Sequence, residues 1–241
     1  MLRQLKALVR VARNFVYQNA YRGTGRRCPI CGHETRRFRP FGVEYKREQA
    51  MCVHCGALER HRLVWLFLER RTDLFTPPPK RMLHIAPEPC ESRIRDRVGA
   101  GHVSADLSDP NVDVHFDAMS IPYPDASFDV VYCSHVLEHV PDDRRALREF
   151  RRVLAPRGYA LFLVPISAPE TFEDPTIVDP RDRVLAFGQD DHMRRYGPDF
   201  VDRLLEAGFH VQVVRDRDVA NAAEIALMGL DGAGEIFLAT P

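Results

Sequence analysis

The chain has 241 residues, of which 45% are hydrophobic and 28% are charged, and its 34 Lys and Arg balance its 34 Asp and Glu. This length accommodates one α/β domain with a small additional module, and the composition excludes disordered and fibrous classes. No run approaches the roughly 18 uninterrupted apolar residues of a membrane span. Lys6, Arg10 and Arg13 interrupt the apolar start too often for a signal peptide. We therefore expect a cytoplasmic protein with no membrane span.

The neutral total conceals a charge asymmetry. Residues 1–71 carry 16 Lys and Arg against 5 Asp and Glu, a balance of +11, and the remainder of the chain balances at −11. A basic segment beside an acidic body predicts either an anionic partner or mutual attraction of the two parts. Both interpretations stay open.

Residues 2–17 place apolar side chains at helical spacing with Arg and Lys between them, which predicts a basic amphipathic helix. Such a helix can pack on its own protein or lie on an anionic surface. Gly23 and Gly25 then predict a linker, so the first predicted segment is residues 1–25.

Two cysteine pairs define the next segment, residues 26–76. Each pair has the C-x2-C spacing and is followed by a glycine, and 20 residues separate the pairs. Two thiolates on each tight turn give four tetrahedral ligands, which predicts a zinc ribbon with one structural Zn²⁺. The predicted ligands are Cys28, Cys31, Cys52 and Cys55. Disulfides and a redox role are the alternatives, and a reducing cytosol disfavours disulfides.

The other histidines and cysteines are not expected to bind the metal ion. His54 and His61 are predicted to lie at the surface, and Cys90 and Cys133 to be single buried thiols. Residues 59–71 predict a helix, and the three prolines at 77–79 mark the start of a second domain, residues 77–241.

From residue 80 onward, short apolar runs alternate with helical patterns. The clearest helix is predicted at residues 142–154, and seven strands are predicted at 82–86, 102–106, 112–117, 128–133, 159–164, 209–214 and 235–240. Alternation of this kind predicts a Rossmann-like α/β fold, a mainly parallel sheet with helices on both faces.

Asp106 ends the second predicted strand, about 20 residues after the first strand, where a carboxylate can accept the hydroxyls of a bound ribose. Asp ends many strands, so this position alone is a weak signal.

A longer pattern is more specific. In their order and spacing, five segments closely resemble the class I S-adenosylmethionine-dependent methyltransferases, specifically the methyltransferase type 11 group. These segments are residues 116–118, 121–124, 127–131, 134–140 and 151–158. The resemblance covers residues 80–165 well and the last two strands loosely. The run LHIAPE, with the ribbon and LERHRL before it, resembles a bacterial subgroup of zinc-ribbon methyltransferases. The resemblance implies a methyltransferase with a seven-stranded sheet and S-adenosyl-L-methionine as cofactor.

The resemblance also implies roles for individual residues. Asp106 would bind the ribose hydroxyls, and Asp117 and Ala118 would face the adenine. Ser134 and His135 would line the floor beside the methyl donor.

The first loop departs from the family pattern, in which an acidic residue precedes three alternate glycines. His84 stands at the acidic position, and Ala86, Glu88 and Cys90 fill the glycine positions. Two hypotheses follow: Glu88 replaces the missing acid and binds the cationic end of the cofactor, or the pocket no longer binds it. Because the positions of Asp106 and Asp117 are intact, we favour binding.

The connection between the fifth strand and the last helix exceeds 30 residues, which predicts a lid that binds the methyl acceptor. A hydroxyl acceptor needs a base, and imidazole titrates near neutral pH. The candidates are His192, His135 and His139, with His192 in the lid ranked first and Asp191 beside it to orient it or to bind substrate. His139 is predicted to orient its loop.

Three functions are consistent with these features. The first is methyl transfer to a small molecule or glycan precursor. The second is methylation of RNA bound through residues 1–71, with Phe38, Phe41 and Tyr45 stacking on bases or forming the core of the ribbon. The third is a non-enzymatic binding module on a decayed methyltransferase fold.

Overall fold

The computed structural model describes residues 16–42 and 46–241, and their contacts divide into two compact units. The first unit comprises the described part of Met1–Thr72 together with Pro89–Ile94 and Asp216–Ala233, and the second comprises Asp73–Glu88, Arg95–Arg215 and Gly234–Pro241. Two segments from later in the chain therefore group with the first unit, and the boundaries at 25/26 and 76/77 stay predictions. Residues 16–20 are helical, and the rest of the predicted helix over residues 2–17 lies outside the described residues.

Secondary structure is distributed over the whole described chain. The helices are α1 (Glu59–Arg71), α2 (Ser92–Val98), α3 (Asp143–Val153), α4 (Pro180–Phe187), α5 (Phe200–Glu206), α6 (Asp216–Val219) and α7 (Ala222–Met228). The short strands are β1 (Arg26–Arg27), β2 (Glu34–Thr35), β3 (Arg39–Phe41), β4 (Arg47–Met51), β10 (Phe172–Glu173) and β11 (Arg194–Arg195). The strands of the main sheet are β5 (Met82–Ile85), β6 (His102–Asp106), β7 (Val114–His115), β8 (Phe128–Ser134), β9 (Leu154–Leu163), β12 (His210–Val214) and β13 (Ile236–Thr240).

The first unit begins with two small antiparallel pairs, β1 with β2 and β3 with β4. Helix α1 follows with the predicted bounds. Its first turn is capped by His61, whose Nδ1 accepts the amide N–H of Leu58 at 3.0 Å. His61 is only 2% exposed, so its predicted surface position is wrong, because the capping bond turns the ring inward. At its other end α1 is tied to α7 by Arg70, whose Nη2 lies 2.8 Å from Oε1 of Glu224.

The second unit is built on the seven-stranded sheet, ordered β12-β13-β9-β8-β5-β6-β7. The predicted strands are confirmed at all seven positions. Neighbouring strands are parallel except around β13, which is antiparallel to both β9 and β12. The order reverses between β5 and β8, where a doubly wound sheet leaves a crevice at the carboxyl ends of its strands.

Helix α3 shows why the predicted pattern is a helix. Its apolar residues recur three or four positions apart, and Ala146, Leu147, Phe150 and Val153 are completely buried in the core of this unit. Asp142 caps the first turn by accepting the amide N–H of Arg145 at 2.8 Å. Strand β9 begins directly after this helix, five residues earlier than predicted.

The long connection before α5 carries structure of its own. Strands β10 and β11 pair within it, and α4 lies between them. The buried guanidinium of Arg194 donates to the backbone carbonyls of Leu137 at 2.7 Å and Val140 at 2.6 Å. The connection is therefore pinned to the chain segment that follows β8. No helix within the described ranges is long and apolar enough to cross a membrane.

Candidate active site and cysteine cluster

Two strained backbone positions mark the carboxyl ends of the central strands. Ala86, directly after β5, has φ of 48°, and His135, directly after β8, has φ of 55°. Side-chain-bearing residues rarely adopt this left-handed region, and such strain is concentrated at functional sites. Both turns are held by backbone hydrogen bonds, from the Ala86 amide to Ala105 at 2.7 Å and from the His135 amide to Leu163 at 2.8 Å. Two strained turns, each closed by a backbone hydrogen bond, therefore define the chain path at the switch point of the sheet.

Asp106 lies at the same edge, at the end of β6. Its Oδ1 accepts the amide N–H groups of Ser108 at 2.7 Å and Asp109 at 2.8 Å, which fixes the carboxylate. The next residue, Leu107, is 71% exposed, an unusual position for a large apolar side chain. A carboxylate beside an exposed apolar side chain suits a nucleoside, the carboxylate for the ribose hydroxyls and Leu107 for a face of the base. Leu107 was not predicted from the sequence, although an apolar residue directly after a strand-terminal acid was the available signal.

Asp117 and Ala118 follow β7 in the neighbouring loop. Oδ1 of Asp117 accepts the amide N–H of Met119 at 2.8 Å, and its carbonyl accepts that of Ser120 at 2.8 Å. Asp117 is exposed and Ala118 is buried. This turn therefore presents the Asp117 carboxylate at the surface, next to the buried apolar side chain of Ala118.

The structure does not bring His84 to this edge. The ring of His84 is buried inside the sheet layer, with Nδ1 3.2 Å from Nε2 of His102 and its centroid 4.7 Å from the ring of Tyr132. Because side chains alternate across a strand, His84 points away from the face of Leu83 and Ile85. It belongs to a buried polar cluster, and its contact with the cofactor stays a prediction. Glu88, later in the same loop, is half-buried.

The chain after β8 gathers three of the predicted imidazoles. His135 places Nδ1 3.3 Å from Oε1 of Glu138, whose side chain is 1% exposed. The rings of His139 and His192 meet edge to face with centroids 4.6 Å apart, although 53 positions separate them in the chain. Asp191 contacts Nδ1 of His139 at 3.2 Å, so it is placed to orient His139, and its predicted role beside His192 stays a prediction.

Burial lowers the pKa of His192 below its ordinary value, and the neighbouring His139 lowers it further. His192 is thus neutral at neutral pH, the form of imidazole that can accept a proton or bind a metal. Its Nδ1 faces the carbonyl oxygen of Phe187 at 3.3 Å. Because a carbonyl only accepts hydrogen bonds, Nδ1 carries the proton and the lone pair is on Nε2.

Three buried polar atoms at this edge have no hydrogen-bond partner within residues 16–42 and 46–241: Oγ of Ser134, Oε2 of Glu138 and Nε2 of His192. Buried polar groups in folded proteins are nearly always paired, and those that are not call for an explanation such as a bound ligand or ion. Ser134 is the last residue of β8, Glu138 lies on the chain that follows it, and His192 packs against that chain. They make this edge a candidate for ligand binding.

A separate cavity of about 430 Å³ lies between the start of α3 and the β10–β11 connection. Its charged lining is already engaged, since Arg194 donates to Glu173 at 2.9 Å and Arg203 to Asp143 at 2.8 Å. We attribute this cavity to the anchoring of the connection and place the candidate site at the strand ends.

In the first unit, the four predicted cysteines form a compact cluster. Sγ of Cys28 lies 3.7 Å from that of Cys55, and Sγ of Cys31 lies 3.8 Å from that of Cys52. Four thiolates about 2.3 Å from one Zn²⁺ at tetrahedral angles would lie about 3.8 Å apart. The cysteines are unbonded, which disagrees with the disulfide alternative.

The two cysteine turns repeat one local structure. In each, the amide N–H of the glycine bonds back to the first cysteine, Gly32 to Cys28 at 2.8 Å and Gly56 to Cys52 at 2.9 Å. Both glycines have positive φ, 75° and 81°, which explains why glycine follows each pair. The half-buried His54 stacks on His33 with ring centroids 4.2 Å apart.

The aromatic residues considered for base stacking are divided by the structure. Phe38 is completely buried under the guanidinium of Arg62, 4.1 Å from its ring centroid, and therefore belongs to the core. Phe41 is 39% exposed, and Tyr45 lies outside the described residues. Arg39 lies over the ring of Tyr17 at 3.8 Å.

Comparison with known proteins gives a consistent result. Residues 95–162 match the family described as a methyltransferase domain. Over 54 residues the chain is 50% identical to the 27-O-demethylrifamycin SV methyltransferase of Amycolatopsis mediterranei, covering 22% of this chain and 20% of that protein. Over 95 residues it is 36% identical to the malonyl-(acyl-carrier protein) O-methyltransferase of Halorhodospira halophila, covering 39% and 30%. The chain thus spans less than a third of the length of these relatives.

Among solved structures, the CurJ carbon methyltransferase aligns with a TM-score of 0.51 at 14% identity, covering 73% of this chain and 53% of that one. The 4+2 cyclase SpnF aligns with a TM-score of 0.50 at 20% identity, covering 75% and 81%. Together with the strand order, these similarities show a Rossmann-like class I methyltransferase fold. Since one of these two neighbours is a cyclase, the fold alone does not define the reaction.

Proposed function

We propose that the protein is an S-adenosylmethionine-dependent methyltransferase. The observation that carries the proposal is the position of Asp106, fixed at the end of β6 beside the exposed Leu107, in the part of the chain that matches the methyltransferase family. The strained turns at Ala86 and His135 and the unpaired Oγ of Ser134 at the same edge support it.

In this proposal the cofactor lies across the strand ends. Asp106 accepts the ribose hydroxyls, and Leu107 and Ala118 pack on the adenine while Asp117 accepts its amino group. Ser134 donates to the cofactor or acceptor near the methyl donor. Glu88 binds the cationic end of the cofactor, since it is the carboxylate that the first loop carries at one of the family's glycine positions.

The proposed acceptor is an oxygen atom of a small molecule or glycan precursor. Two observations support this choice: one relative is named an O-methyltransferase, and neutral His192 can accept a proton. Methyl transfer from a sulfonium is an in-line displacement, so the protein mainly positions the acceptor, excludes water and removes its proton. RNA as acceptor stays a prediction that rests on the charge of residues 1–71, because Phe38 is part of the core.

We further propose that Cys28, Cys31, Cys52 and Cys55 hold one structural Zn²⁺. Four thiolates close the coordination sphere, so the ion would stabilise the first unit and take no part in catalysis.

The cofactor proposal is tested by replacing Asp106. Asp106→Ala removes charge-assisted hydrogen bonds to the ribose, so the free energy of cofactor binding should weaken by about 1.5–3 kcal/mol for each bond lost. Isothermal titration calorimetry with S-adenosylmethionine measures this directly. The matched control is Asp96→Ala on the exposed face of α2, which should bind as the parent protein does. Equal affinity in a folded Asp106→Ala variant would show that the nucleoside lies elsewhere.

A further inference from the structure

Glu138, His139 and His192 bring one carboxylate and two imidazoles together at the carboxyl edge of the sheet. One ligand atom from each lies within 4.8 Å of the other two, close enough for one ion after small side-chain shifts. Glu138 and His192 are buried, and His139 is half-buried. Two imidazoles and one carboxylate are the ligand set that divalent transition metals prefer, whereas Mg²⁺ and Ca²⁺ prefer oxygen alone.

Two of the three proposed ligands carry a buried polar atom that lacks a partner. Oε2 of Glu138 and Nε2 of His192 are buried without a hydrogen-bond partner in the described part of the chain. Leaving both unpaired would be costly, since buried polar atoms lose their bonds to water. An ion between them would restore those interactions.

Each of the three side chains is also contacted at its second nitrogen or second oxygen by another group of the protein. Asp191 contacts Nδ1 of His139 at 3.2 Å, and the carbonyl of Phe187 lies 3.3 Å from Nδ1 of His192. These contacts place the protons on Nδ1 and leave both Nε2 lone pairs for another partner. His135 contacts the other oxygen of Glu138 at 3.3 Å. Metal-binding histidines characteristically bond through their second nitrogen to a carboxylate or a backbone carbonyl.

We propose that Glu138, His139 and His192 bind one divalent transition-metal ion, such as Mn²⁺, Fe²⁺, Co²⁺ or Zn²⁺. Three protein ligands leave open positions on the ion for an oxygen ligand. Asp191 acts as a positioning residue for His139.

A role in catalysis follows if the proposed methyltransferase function holds. With its Nε2 bound to the ion, His192 would be a metal ligand and would no longer serve as the base. An acceptor hydroxyl bound to the ion would instead release its proton to water, because the positive charge lowers the pKa of a bound hydroxyl. The oxygen lone pair then forms a bond to the methyl carbon. The carbon–sulfur bond breaks with its electron pair passing to sulfur, and S-adenosylhomocysteine leaves as a neutral thioether.

Binding of Mn²⁺ to the full-length protein tests the site without cofactor or acceptor. The electron paramagnetic resonance signal of free Mn²⁺ falls when the ion is bound, and Mn²⁺ competes poorly for the thiolates of the cysteine cluster. We expect about one equivalent bound, and loss of that equivalent in His192→Ala and in His139→Ala. The second variant alters a half-buried ring, so it tests the site even if His192→Ala fails to fold.

The neighbouring acids supply a matched pair. Asp191→Ala should weaken Mn²⁺ binding by about 10–100-fold, the usual effect of losing a partner behind a ligand. Asp190→Ala, which removes an exposed acid one position away, should leave binding unchanged. A wild-type protein that binds no Mn²⁺, or His139→Ala and His192→Ala variants that keep the full equivalent, would overturn the proposal. Intact Mn²⁺ binding without methyl transfer would count against the proposed function alone.

Discussion

At the scale of single residues, Ala86 is one of the two strained backbone positions at the candidate site. Its φ of 48° is ordinary for glycine, but the Cβ of alanine is crowded there, at a cost of about 1–3 kcal/mol. Its amide still donates to Ala105 at 2.7 Å, which holds the turn closed. The loop therefore keeps a backbone conformation suited to glycine without a glycine, and the missing glycines do not by themselves indicate a decayed pocket.

Substitutions at Ala86 should separate backbone strain from side-chain effects. Ala86→Gly should leave the free energy of unfolding close to that of the parent, since relief of strain offsets the greater freedom of the unfolded chain. Ala86→Val should lower it by about 1–3 kcal/mol, because a β-branched residue tolerates positive φ poorly. Urea denaturation followed by circular dichroism measures both. If Ala86→Val is as stable as Ala86→Gly, the turn is not strained.

At the scale of elements, an ionic network anchors the β10–β11 connection to α3, and it is buried except at Glu173. Asp143 at the start of α3 accepts Arg203 at 2.8 Å and the hydroxyl of Tyr196 at 2.6 Å. Glu173 on β10 accepts Arg194 and Arg203, both at 2.9 Å. Through these contacts the connection holds His192 in place beside His139.

This network should make stability depend on acid pH. Burial opposes the charge of Glu173, but the hydrogen bonds from Arg203 and Arg194 outweigh it and lower its pKa from 4.5 to about 2. A carboxylate with a depressed pKa stabilises the fold fully above its unfolded pKa, and this contribution is lost as pH falls from 4.5 towards about 2. The difference in unfolding free energy between the parent and Glu173→Gln should therefore be constant near neutral pH and shrink below about pH 4.5.

Denaturant titrations of both proteins at several pH values test this dependence. Any metal lost in acid is lost from both, so the difference isolates Glu173. The exposed Glu170, changed to Gln, serves as the control and should show no such trend. A difference that persists undiminished near pH 2 would mean that the arginines do not stabilise the ionised form.

The elements of the sheet were predictable because each is determined by nearby residues. The apolar spacing within α3 and the runs that form β5 to β9 are local signals, and so are the two cysteine turns with their glycines. The meeting of His139 with His192 was not predictable, because it depends on Arg194 reaching the carbonyls of Leu137 and Val140 across more than 50 positions. The burial of His84 was missed for the same reason, since its partner His102 lies on another strand.

At the scale of the whole molecule, the basic segment 1–71 contributes a buried arginine, Arg62, to the core of the first unit. The guanidinium of Arg62 is completely buried and donates to the carbonyls of Ala50 at 2.9 Å, Ala57 at 2.8 Å and Met228 at 2.7 Å. Ala50 and Ala57 flank the second cysteine pair, and Met228 ends α7. Four thiolates around Zn²⁺ carry a net negative charge, which a nearby buried guanidinium would balance. Part of the excess of Arg over acid in residues 1–71 is therefore structural.

Removal of the metal should unfold the first unit. Its short strands β1 to β4 have two to five residues each, too little to be stable alone, and zinc contributes about 10–16 kcal/mol of apparent binding free energy to comparable small modules. Zinc is measured in the His139→Ala background, which removes a ligand of the proposed Glu138–His139–His192 site. In this protein, purified without added metal, we expect about one equivalent of zinc. Cys52→Ser combined with Cys55→Ser should lose it, and residues 16–72 should become sensitive to protease. His54→Ala, which removes a possible ligand beside the cluster, should keep both zinc and protease resistance. A full complement of zinc in the double variant would show that these four thiolates do not hold the ion.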